Sequence, residues 1–168
     1  MRSCQSFKGG LKMRKQNHDG FSLIELLIVV TIIGIIASIA IPNLLASRRA
    51  ANEGSAQSSM RTISSCEATY QYTYGNGNFT DLTSLGSKTL TDSVLSTGQK
   101  SGYNFVFTAI AGPPAQYWGY ALPTSTSGIG QTGTRRFATS EDGVLRGDTT
   151  LSAPADAAAV KAISPLGN

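Results

Sequence analysis

The run at positions 21–41, FSLIELLIVVTIIGIIASIAI, is apolar apart from a few small hydroxyl residues and one acid, Glu25. About 20 apolar residues suffice for a helix to cross the hydrocarbon core of a bilayer. A helix is also the form in which a single segment satisfies its own backbone polar groups in lipid. A carboxylate inside such a helix costs roughly 2.5 to 3.5 kcal/mol on insertion scales. A plain anchor has no use for that cost, so Glu25 marks the run as more than an anchor.

Ahead of the run, Arg2, Lys8, Lys12, Arg14 and Lys15 stand against Asp19 alone. This leader carries the whole formal charge of +4, because residues 21–168 hold nine basic and nine acidic side chains. The high isoelectric point is therefore no nucleic-acid footprint once the leader is removed, and no specific nucleic acid is expected as a partner. Cys4 and His18 also lie in the leader, which leaves Cys66 a lone thiol and the rest of the chain without an imidazole. A lone cysteine on a helix reads first as a small buried apolar residue.

An ordinary secretory signal has an apolar core of about 7 to 15 residues with a cleavage site after it. The run here is longer, and beyond Pro42 the sequence continues to read as helix. The expected cut is therefore before the run, at Gly20, with the basic leader held on the cytoplasmic side. Met13 offers a second start, which gives the compact basic leader MRKQNHDG.

The segment GFSLIELLIVVTIIGIIASIAIPN, residues 20–43, resembles the N-terminal signature of type IV prepilins and pseudopilins. The resemblance implies that a membrane-embedded prepilin peptidase cuts after Gly20 and methylates the new N-terminal residue, Phe21. It places Glu25 on the family's glutamate at the fifth mature position and Pro42 on its helix-disrupting proline. It also implies storage in the inner membrane as a single-pass protein. An ATPase and an assembly platform protein would then draw the chain into a helical filament of identical subunits. The filament core would be made of these apolar helices.

A carboxylate in apolar surroundings needs a partner. Cleavage before Phe21 creates an amine close to Glu25, so the expected pair is Glu25 with the Phe21 amine of its own or an adjacent subunit. Pro42 lacks a backbone donor and crowds the preceding turn, which predicts a break, bend or loosening of the helix there. Gly34 is a second weak point or a close-packing position. Arg48 and Arg49, just past the apolar part, face lipid head groups, acidic surfaces of neighbouring subunits, or solvent.

Ala56, Met60, Ile63, Cys66 or Glu67, Tyr70 and Tyr74 recur at spacings of three and four, an amphipathic stripe that packs on a globular head. The Gly-Asn-Gly-Asn at 75–78 ends the helix. Residues 75–102 read as loop with one helical turn near 80–85. Strands are predicted at Tyr103–Ile110, 116–122, 135–139 and 144–146, with Ser-Glu-Asp-Gly as the hairpin turn. The tail, 151–168, is rich in Ala and Pro and is expected to pack loosely.

The predicted fold is α+β and type IV pilin-like. It has a long N-terminal helix over about 22–74 whose C-terminal half packs on a small antiparallel sheet of three or four strands. The organisation expected is leader 1–20, membrane and filament-core helix 21–41, amphipathic helix 42–74, head 75–150 and tail 151–168. Major pseudopilins, by the same resemblance, staple the C-terminal region with calcium. The acids Glu141, Asp142, Asp148 and Asp156 do not have the spacing of a defined calcium loop, and turn and surface roles are expected for them. No metal site and no cofactor are predicted.

An enzyme reading requires a nucleophile with its base, a metal cluster or a phosphate loop. The head contains no histidine and no such motif, so no catalytic residue is named. The reading adopted is a structural subunit of a type IV pilus, ending in an extracellular filament. A type II secretion pseudopilin in a periplasmic pseudopilus is the alternative, and a membrane-anchored enzyme the remote one.

Overall fold

A computed structural model describes residues 20–167. The leader expectations, including the Met13 start, Cys4 and His18, lie outside the described residues apart from Gly20 itself. Two compact units divide between Ala40 and Ile41.

The first unit contains the start of α1, a 51-residue helix over Leu23–Thr73. Its large apolar side chains, Leu23 through Ile39, are all exposed. Nothing among the described residues covers them, as expected for a segment whose solvent is lipid or other helices. The two hydroxyls that interrupt the run are satisfied locally: Thr31 Oγ1 donates to the Leu27 carbonyl at 2.7 Å and Ser38 Oγ to that of Ile35 at 2.8 Å. Such back-bonding lets a polar residue sit in an apolar helix without an orphaned donor.

The break expected at Gly34 and Pro42 is not an end of the helix, because α1 continues through both residues. Proline removes a single ladder bond, and the turns on either side keep theirs. The helix ends instead at Thr73, where Gly75 and Gly77 donate back to the carbonyls of Tyr70 and Gln71. Asn76 and Gly77 turn the chain with φ of 46° and 89°.

In the second unit, the stripe predicted on α1 is the one that buries: Ala56, Met60, Ile63, Cys66 and Glu67 are inside, and Tyr70 packs at its edge. Tyr74 is exposed, beyond the last helical turn. The stripe faces a five-stranded antiparallel meander in the order β1-β2-β3-β4-β5. The strands are β1 Gln99–Lys100, β2 Tyr103–Ile110, β3 Gln116–Pro123, β4 Arg136–Ser140 and β5 Arg146–Asp148. Four match the predicted strands within two residues at each end. The fifth, β1, is too short to show an alternation.

The stretch 75–102 also holds two short helices, α2 Leu82–Ser87 and α3 Ser93–Ser96, capped by Asp81 and Asp92. Leu85 and Leu95 are fully buried from them.

Alternation along the strands gives the sheet two faces. Tyr103, Phe105, Phe107, Tyr117, Ala121 and Phe137 point to α1 and form one core with it. Gly119 lies opposite Phe107 in the register, and a Cβ there would come within 2.5 Å of the Phe107 ring. The missing side chain makes room for the aromatic laid across it. Gly119→Ala is expected to cost about 1 to 3 kcal/mol by overpacking, read as a lower denaturant midpoint of Trp118 fluorescence for the full chain in micelles.

The tail differs from its expectation of loose packing. Asp156 caps α4, Ala157–Lys161, by accepting from Ala159 N at 2.7 Å. Val160 and Ile163 then bury on Ala138, Trp118 and Tyr120, on the second face of the sheet. Two apolar residues suffice because the sheet supplies the aromatic half of this small core. Asp156→Ala should cost about 1 kcal/mol through the lost cap, measurable as faster amide exchange in α4.

Candidate assembly and processing site

Gly20, Phe21 and Ser22 precede the helix. The Gly20–Phe21 peptide bond thus lies outside the helical ladder, and a Cβ at Gly20 would meet nothing within 4 Å. Phe21 is exposed. The bond predicted to be cut is therefore open on all sides among the described residues.

Glu25 has a definite partner here. Its Oε2 accepts from the Ser22 backbone N–H at 2.9 Å. With Leu23 as the first helical residue, Ser22 stands at the N-cap and Glu25 at N3. Ser-Leu-Ile-Glu is thus the S-x-x-E pattern of a capping box, in which the N3 side chain reaches back to the N-cap amide. The acid is also in the first turn, where the helix dipole favours negative charge. Reading Glu25 only as a charge in an apolar run misses this role, although the three-residue spacing from Ser22 carries the signal. The contact holds the carboxylate one residue from the Phe21 nitrogen, the atom that cleavage would convert to an amine.

The C-terminal acids of the head are each engaged by another group of the fold. Asp142 pairs with the buried Arg146, and this guanidinium holds its carboxyl down at about 2. Asp148 binds Arg136 at 2.7 Å and 2.8 Å through two nitrogens, while Glu141 pairs with Lys161 and Asp156 caps α4. The four acids weighed as calcium donors thus each have another partner. Among the described residues no group of three or more His, Cys, Asp or Glu is placed to hold a metal ion. Cys66 is buried, donates to the Leu90 carbonyl at 2.8 Å, and has its thiol pushed up by burial and by Glu67. This is the structural cysteine that the sequence suggests, since reactivity requires a lowered value and exposure.

Glu67 is the polar residue whose position the sequence leaves open. It is fully buried, accepts from Thr80 N at 3.0 Å through Oε2, and has no partner for Oε1. Burial, with a smaller contribution from Asp81, pushes its carboxyl up to about 7.

Residues 15–41 match the family model described as the prokaryotic N-terminal methylation motif. The type IV wide pilus major component of Thermus thermophilus is 60% identical over 38 residues, which are 23% of this chain and 29% of that one. The chain is type IV pilin- or pseudopilin-like. The type II secretion system core protein G of Vibrio cholerae is 50% identical over 42 residues, 25% of this chain and 27% of that one. The same-named protein of Aeromonas hydrophila is 39% identical over 46 residues, 27% of this chain and 32% of that one. The chain therefore aligns with about a quarter to a third of the length of these curated relatives. No solved structure matches it significantly. The long helix followed by a small antiparallel sheet is the α+β arrangement of type IV pilin-like proteins.

Proposed function

We propose that this pilin- or pseudopilin-like chain is a structural subunit of a type IV pilus. Prepilin peptidase removes residues 1–20 by cutting between Gly20 and Phe21, then methylates Phe21. The mature chain is held in the inner membrane by residues 21–41. An assembly platform protein and its ATPase then draw it into a helical filament of identical subunits. The observation that carries this reading is the apolar face of α1, exposed on every side from Leu23 to Ile39. It needs lipid before assembly and neighbouring helices after it.

The pilus reading is preferred to the pseudopilus because the C-terminal acids are occupied by Arg146, Arg136, Lys161 and the α4 amide. The second reading, a type II secretion pseudopilin in the periplasm, is favoured by the matches to core protein G.

Electron microscopy of filaments sheared from the cell surface, with mass spectrometry for residues 21–168, tests the choice. Recovery of this chain as the main filament component is the expected result. Its absence from such filaments, together with loss of exoprotein secretion in a deletion strain, would replace the pilus by the pseudopilus.

A further inference from the structure

The β3–β4 connection carries Ile129 between two glycines, and its side chain is 83% exposed. This matches the 81% of Phe21 and Leu23 in the apolar run, yet Ile129 belongs to the head. The loop that presents it is held in place. Thr132 N donates to Ser125 O at 3.0 Å and Gln131 N to Gly128 O at 3.2 Å. On the helix side, Arg49 donates to Gln131 Oε1 and Asn52 Nδ2 to Thr132 O, both at 2.9 Å. A single exposed aliphatic residue is ordinary, but this one sits on a braced tip against Ile41, Pro42 and Leu45 and so extends an apolar patch, the kind of surface that marks an interaction site.

Its neighbours indicate with what. Ile129 lines a shallow groove with Ile41, the last residue of the run, and with Pro42 and Leu45 just beyond it. Arg48 lines the adjoining groove together with Ile129, and Arg49 lines the first. Neither groove is lined by an acid. The acid one turn on, Glu53, is engaged by the backbone N–H and hydroxyl of Thr134 at 2.7 Å and 2.8 Å. An aliphatic tip grouped with Ile41, Pro42 and Leu45 and beside two arginines has the composition of a membrane-interface anchor. The apolar part enters the acyl boundary while the guanidiniums meet phosphates.

We infer that the Gly128–Ile129–Gly130 tip, with Arg48 and Arg49, docks on an anionic phospholipid surface while the chain is stored in the membrane, giving the head a second attachment beside α1. This rests on the reading of residues 21–41 as a membrane span. Docking fixes the head against the bilayer, and extraction into a filament must break it.

The test uses the full chain in vesicles of phosphatidylglycerol and phosphatidylcholine carrying brominated acyl chains, which quench tryptophan at a known depth. Trp118 in the wild type supplies the background, and Ile129→Trp and Leu27→Trp report the tip and the span. Strong quenching of Leu27→Trp by deep bromines checks the span alone. If it is absent, the membrane reading itself fails. With that control satisfied, Ile129→Trp is expected to show blue-shifted emission quenched by shallow bromines. The docked population should fall about fivefold for each of Arg48→Ala and Arg49→Ala, the contribution of one basic residue near an anionic surface. Water-like, unquenched emission from Ile129→Trp beside a quenched Leu27→Trp overturns the inference and leaves the tip to a second copy of the chain or to solvent. Quenching that is equal in pure phosphatidylcholine and indifferent to both arginine substitutions overturns the anionic partner.

Discussion

Glu25→Gln and Glu25→Ala are both expected to leave leader removal and membrane insertion intact and to abolish filaments. The glutamine variant is the more informative one. A glutamine at N3 completes a capping box as a glutamate does, so the bond to Ser22 N seen at 2.9 Å is retained and only the charge is lost. If Glu25 serves assembly through that charge, its partner is the Phe21 amine released by cleavage. In a filament core of packed apolar helices that amine is a cation out of water. Removing one member of a buried ion pair costs about 3 to 5 kcal/mol, and the cost recurs at every subunit added. Elongation should fail, with surface filaments down by at least about a hundredfold on that figure. The check is electron microscopy of sheared filaments, with immunoblots for the processed chain in the membrane fraction. Normal filaments from Glu25→Gln alongside none from Glu25→Ala would assign the residue to the cap and sink the ion-pair proposal.

The two roles need not compete. The cap holds the carboxylate folded back toward Ser22 and Phe21, where cleavage before Phe21 would place an amine. A group kept there can pass to the amine of its own chain or of an axially shifted neighbour by a rotamer change. It need not first be carried through the apolar phase without a partner.

How much of this was legible in the sequence follows from how the signals are written in it. The stripe on α1 was readable because burial on one face forces spacings of three and four, and Ala56, Met60, Ile63 and Cys66 keep them. Strands β2 and β3 were readable because eight residues allow an alternation to show. The two-residue β1 was not, since nothing local distinguishes Gln99–Lys100 from loop; it is set by pairing with Tyr103 and Asn104. The α4 core was hidden for a related reason. Val160 and Ile163 are too few to announce a buried face, and the aromatics that cover them lie some 40 residues earlier in β3. At the candidate site, Gly20, Phe21 and Glu25 stand out by type alone. The capping geometry required asking what Ser22 does three residues before the acid.

Glu67 was the least legible residue, because a stripe that admits either Cys66 or Glu67 does not say which side chain goes inside, and both do. It leads to the second large effect. A carboxyl raised from 4.5 to about 7 binds its proton more tightly folded than unfolded. Its contribution to stability is therefore full below about pH 4.5, falls as the pH rises through 7, and is gone above that. The loss is on the order of 2 to 3 kcal/mol. The groups around it do not reverse the sign. Asp81 raises the value further, Cys66 and Tyr117 are neutral with their own values pushed up, and the Thr80 N–H lowers it only partly. Oε2 accepts from Thr80 N, which leaves the unpartnered Oε1 as the oxygen free to carry a proton. Glu67→Gln puts an uncharged amide in the same shape and can still accept from Thr80 N. It should be close to the wild type at pH 4.5 and more stable by about that same 2 to 3 kcal/mol at pH 8. Asp142 and the other acids with lowered values titrate below this window, so they do not obscure it. Denaturant unfolding of the full chain in micelles, followed by Trp118 fluorescence across pH 4.5 to 8, reads the difference directly. Parallel pH profiles for the two proteins would mean that Glu67 stays ionised in the core, held by Thr80 and by water at Oε1.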